Sequence, residues 1–131
     1  MVRTLTIHDE TALGKVLNSY QLPILQEVLT VAELIRLRVE HEVADYNQRL
    51  PETFQALVQP TGAERVLNGY QIRSKRLIDS EKQVYIALDA FQKNGFFILI
   101  GNHQAETLDE LVSLTNNTTI SFIKLTPLIG G

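Results

Sequence analysis

The sequence predicts an α+β fold. Three observations carry that prediction: a capped amphipathic helix opening at Thr30, a five-residue apolar run at Phe96–Ile100, and β-branched segments near both ends, residues 2–8 and 119–125.

Residues 2–8 set Val2, Leu5 and Ile7 against Arg3, Thr4, Thr6 and His8, which reads as a strand. A break is expected at Asp9, Glu10 and Thr11. Residues 21–28 read as a second strand, which Pro23 places at a sheet edge or near the strand start. Thr30 and Glu33 form a capping box, with Leu29 and Leu34 at the staple positions. Val31, Ile35, Val39, Val43, Tyr46 and Leu50 share one helical stripe, and the helix is expected to end near Asn47, ahead of Pro51. The pairs Arg36/Glu40 and Arg38/Glu42 are expected on its polar side. Residues 54–59 read as a short strand and 60–62 as a turn. Asn68-Gly69 is a turn dipeptide that suggests a hairpin within residues 65–78. Ser80 and Gln83 form a second capping box, opening a helix that buries Val84, Ala87, Leu88 and Phe91 and stops at an αL cap, Asn94-Gly95. Phe96–Ile100 reads as a buried central strand. Leu108, Leu111 and Leu114, spaced by three, suit a helical turn or 3₁₀ piece, and residues 119–125 a last strand.

At 131 residues the chain is long enough to bury a core without a metal or disulfide staple. It contains no cysteine, which excludes disulfides, thiolate metal sites and a thiol nucleophile. A net charge of −3 gives no global attraction for nucleic acid or anionic membrane. No apolar run approaches the ~20 residues that span a bilayer. Residues 1–9 alternate and turn acidic too soon for a signal peptide, so a cytoplasmic protein is expected.

Two stretches carry a family likeness. One runs from Phe96 through Gly101-Asn102 and Leu108-Asp-Glu-Leu111. It continues from Thr119 to Pro127-Leu128-Ile129-Gly130-Gly131. The other is a strand pair followed by Leu29-Thr-Val-Ala-Glu-Leu-Ile35. Together they resemble the β-grasp (ubiquitin-like) superfamily, whose chains share this order. The ending is more similar to the Pro-hydrophobic-x-Gly-Gly of the molybdopterin and thiamine sulfur carriers than to the basic tail of ubiquitin. The resemblance implies a mixed sheet packed on a helix. Residues 51–94, an additional hairpin and helix, would then be an insertion in one domain, 1–131. A second parse makes residues 1–50 an N-terminal addition and 54–131 the β-grasp domain.

The function that the resemblance implies lies at the terminus. An E1-like adenylating enzyme would bind ATP and activate the Gly131 carboxylate for sulfur transfer or for conjugation to an acceptor protein. Pro127, Leu128, Ile129, Gly130 and Gly131 would be the activated tail. Pro127 stiffens its exit, and the two glycines keep the approach free of side chains. The chain would be a handle rather than an enzyme, with no catalytic residue, metal or cofactor of its own. The competing reading is a non-catalytic β-grasp protein–protein interaction module.

Other clusters carry less. Arg73, Lys75 and Arg76, with Tyr70 nearby, are candidate partner contacts or a solvated edge. His103, in a polar loop, is a further candidate contact. His8-Asp9-Glu10 reads as an exposed turn rather than a metal site, and His41 as a solvated helix residue. The pairs Asp79/Glu81 and Asp109/Glu110 read as charges at helix starts. Phe91, Phe96, Phe97 and Phe122 are assigned to the core. There is no phosphate-binding glycine loop, so ATP is expected on the partner.

Overall fold

A computed structural model describes residues 2–66, 69–72 and 76–125. They form an α+β structure with two helices and a mixed sheet. The chain divides into two compact units, residues 1–31 with 91–131, and residues 32–90.

The first unit is built on five strands. β1 (Arg3–Thr11), β2 (Val16–Ile24), β6 (Phe96–Ile100), β7 (His103–Gln104) and β9 (Thr119–Lys124) form a sheet in the order β2-β1-β9-β6-β7. β1 and β9 run parallel, and every other neighbouring pair is antiparallel. Strand alternation sends Leu5, Ile7, Leu22, Ile24, Phe96, Ile98, Ile120 and Phe122 into the core. Phe96 tilts against both Phe91 and Phe122, with ring centroids 5.9 and 6.3 Å apart. Phe97 falls on the opposite face and is only half-buried.

Several expectations for this unit are corrected. The break at Asp9–Thr11 is absent, because β1 lies between β2 and β9 and its pairing continues to Thr11↔Lys124. The reversal comes at residues 12–15, where Gly14 adopts φ 89° and donates to the Thr11 carbonyl at 2.9 Å. β2 therefore starts earlier than residue 21 and ends at Ile24; Pro23 does lie in an edge strand. β6 buries Phe96 and Ile98 and leaves Phe97, Leu99 and Ile100 half-buried, instead of being buried throughout. Residues 108–114 hold no helical piece. β8 (Leu111–Ser113) pairs antiparallel with β3 (Val28–Thr30), so Val112 turns inward while Leu111 is 69% exposed.

The second unit contains most of α1 (Val31–Arg49) and α2 (Ser80–Gln92). α1 starts directly after Thr30, as the capping signal predicts, and buries Leu34, Ile35, Val39, Val43 and Tyr46. It runs two residues past Asn47 and stops at Leu50, which takes a left-handed φ of 45° and donates to the Tyr46 carbonyl. Asn47 itself clips the chain ahead of α2. Its Nδ2 donates to the Ile78 carbonyl at 3.0 Å, and its Oδ1 accepts from Ile78 N at 2.7 Å. The cap of α2 is Asp79 rather than Ser80: its Oδ1 accepts from Glu81 N at 3.0 Å and Lys82 N at 3.4 Å. Gln83 is buried and donates to the Val58 carbonyl at 2.9 Å, so it does not close a capping box. Asn94 ends the helical segment in the left-handed region, φ 60°, as expected.

Between the helices, residues 54–59 do not form the expected strand. Phe54 makes an isolated bridge to Tyr70, and Ala56, Leu57 and Val58 are buried without pairing as a strand. The hairpin is present as β4 (Ala63–Val66) and β5 (Gly69–Ile72); Asn68 lies outside the described residues. Gly69 is needed for close approach. A Cβ there would stand 2.5 Å from Thr53 Cγ2 and 2.8 Å from the Phe54 carbonyl oxygen. Gly69→Ala is expected to destabilise the protein by about 1–3 kcal/mol in urea unfolding, by forcing that bridge apart.

Candidate functional site: the carboxyl end of β9

The expected tail, Pro127 to Gly131, lies outside the described residues, as do Arg73 and Lys75. What is described is the strand that leads to the tail. β9 is the middle strand of five, held on one side by β1 and on the other by β6. Its last residue, Lys124, is registered opposite Thr11 and Phe96. That register places the β1–β2 turn, residues 12–15, beyond the same end of the sheet. Three apolar side chains stand out there: Leu13 (98% exposed), Val16 and, directly after β9, Leu125 (41% exposed).

Asp9 belongs to this end of the sheet. It is buried on the core face of β1, and Lys124 Nζ stands 3.9 Å from its carboxylate. Because Asp9 pairs with Phe122, Lys124 reaches it along the diagonal of one sheet face. Sequence reasoning places Asp9 in a break and an exposed turn, which its burial in β1 corrects, and does not single out Lys124. Only the parallel register of the first and last strands brings them together.

His103 sits in β7, exposed, with Nε2 2.5 Å from Glu110 Oε2. The other Glu110 oxygen accepts from Glu106 N at 2.9 Å. The Glu106 amide first, and the His103 hydrogen bond second, hold the Glu110 carboxyl below its ordinary range. A lowered carboxylate pKa stabilises the folded state above the unfolded value of about 4.3, and that share is lost as pH falls through the folded value. Glu110→Gln is expected to flatten this acid-side slope of stability, measured by urea unfolding from neutral to acidic pH. Asp109 accepts from the Thr107 hydroxyl at 2.7 Å; neither Asp109 nor Glu110 starts a helix, which corrects the sequence reading. Arg76 is exposed, and its guanidinium donates to the Thr61 carbonyl.

His8 is not in a turn. It lies within β1, half-buried, and its enclosed Nδ1 has no hydrogen-bond partner among the described residues. Strand alternation puts Asp9 on the face opposite His8 and Glu10, which separates the three groups a metal would need. Among the described residues, no group of three or more His, Asp or Glu is gathered to hold a metal ion. His41 is exposed on α1, as expected. Among the described residues, no helix is long and apolar enough to cross a membrane. Compared with protein-family models, with curated proteins and with solved structures, the chain matches none of them.

Proposed function

We propose that the chain is a β-grasp carrier or modifier whose Gly-Gly carboxylate is activated by an E1-like adenylating enzyme. The observation that carries this reading is the strand order β2-β1-β9-β6-β7 with β1 and β9 parallel. It makes a mixed sheet from a leading hairpin and a trailing strand pair, and it ends the middle strand at Lys124, just ahead of the tail. The same sheet joins residues 1–31 to residues 91–131, which favours the parse with an inserted middle.

The chemistry belongs to the terminal carbon. A Gly131 carboxylate oxygen attacks the α-phosphorus of ATP, pyrophosphate leaves, and an acyl-adenylate forms. A sulfur nucleophile then attacks the carbonyl carbon and expels AMP, leaving a thiocarboxylate or a thioester. From a thioester, a lysine amine displaces the thiol and forms an amide. ATP and the reacting thiols sit on the partner, and the carrier contributes shape and a narrow tail. In this reading the protein works in the cytoplasm, delivers its acyl group to an acceptor protein or a sulfur-using enzyme, and has no cofactor of its own.

The second reading, a passive interaction module, is favoured by the exposed apolar side chains Leu25, Val28 and Leu111 around the β3–β8 pair. Pyrophosphate exchange with a carrier-type adenylating enzyme separates the two. The carrier reading expects exchange that disappears when Gly130 and Gly131 are deleted; exchange that survives the deletion rejects the tail mechanism.

A further inference from the structure

Independently of the tail, the outer edge of β2 has the features of a self-pairing surface. β2 is a nine-residue strand at the end of the sheet, and no charged residue occurs in it. Edge strands of this length usually carry charges, a proline or a bulge that stops another strand from adding. β2 has such devices only near its ends. Leu17 is the extra residue where Asp9↔Asn18 steps to Glu10↔Val16, and Pro23 stands near the other end. Between them, Asn18 to Leu22 form a regular, uncharged window.

Pro23 also sets the phase of that window. Proline cannot donate to a ladder, so its nitrogen faces away from β1. The pair Thr4↔Pro23 is therefore a non-hydrogen-bonded one, and the antiparallel alternation then fixes the rest. Leu22 and Tyr20 bond to Leu5 and Ile7 on β1. Ser19 and Gln21 turn their backbone N–H and C=O groups outward, and both residues are exposed. Two outward residues spaced by two match a second copy of themselves about a two-fold axis.

We propose that β2 pairs antiparallel with β2 of a second copy of this chain, with Ser19 of each copy opposite Gln21 of the other. Ser19 and Gln21 then exchange both main-chain hydrogen bonds, twice by symmetry. The two Tyr20 residues meet in the close, non-hydrogen-bonded position at the axis. With no charge in either window, nothing repels an identical partner.

Sedimentation equilibrium of the full chain tests this, over a wide concentration range. The unaltered protein is expected to dimerise reversibly. Ser19→Lys with Gln21→Lys sets cation against cation at both pairs and is expected to raise the dimer dissociation constant about tenfold or more. Ser19→Lys with Gln21→Glu sets cation against anion at the same positions and is expected to restore the dimer. Gln21→Pro removes an outward N–H from each copy without touching the bonds to β1, and is expected to give monomer. Circular dichroism checks that each variant is folded, and the Lys/Glu variant controls for replacing the same two residues. A protein that stays monomeric at its highest soluble concentration overturns the proposal. So does a dimer that the Lys/Lys and Lys/Glu variants affect alike.

Discussion

Arg38→Met is expected to destabilise the protein by about 3–5 kcal/mol, a loss readable from the midpoint and slope of urea unfolding. Arg38 and Glu42 are four apart on α1, and Arg38 Nε lies 3.0 Å from Glu42 Oε2. The side chains are only 1% and 8% exposed, so water does not screen them. Both Glu42 oxygens also stand 3.2 Å from the Leu57 amide, so the carboxylate anchors the strandless segment 54–59 to the helix. Removing the guanidinium takes a charge-assisted partner from a buried carboxylate, and losing one side of a buried pair is what costs most. The double variant Arg38→Met/Glu42→Gln removes that charge and keeps an acceptor for Leu57 N. It is therefore expected to be more stable than the single variant. A single variant as stable as the parent would show that the pair holds nothing together.

Phe122→Ala is expected to cost a similar amount, about 3–5 kcal/mol. Phe122 is fully buried in the middle strand, registered with Asp9 on β1 and Ile98 on β6, and tilted against Phe96. Its loss opens a void where the first and last segments of the chain meet. Ile123→Ala, one residue on, points to the opposite face at a half-buried position and is expected to cost clearly less. Comparable losses at both positions would contradict the assignment of Phe122 to the core face of β9 and Ile123 to its less buried face.

The segments legible in the sequence are those whose local chemistry agrees with their tertiary surroundings. Thr30 ahead of an apolar stripe, Asn94 closing a helix, and the β-branched run at 119–125 all say locally what the fold does globally. Legibility fails where pairing or burial overrides composition. Asp9 and Glu10 are poor strand formers, yet β1 is paired on both sides and carries them along. Leu108, Leu111 and Leu114 mimic a helical period, but β3 captures residues 111–113 and imposes a period of two. Arg38 and Glu42 have the spacing of a solvated helix pair. Nothing local reveals that the segment after Pro51 comes back to Glu42. The proposed site is legible only in its last residues, because a tail proposed to act through a bare carboxylate would be specified by composition and position. The Asp9–Lys124 approach needs the parallel register that no single stretch encodes.

The intact mass of the chain after incubation with ATP, a sulfur donor and a carrier-type adenylating enzyme tests the central claim most directly. The account predicts a gain equal to the exchange of one oxygen for sulfur, localised by fragmentation to Gly131. If an acceptor protein replaces the sulfur donor, it predicts an amide from Gly131 to a lysine of that protein. A chain of unchanged mass under both conditions, with an enzyme that activates its own carrier normally, would contradict it.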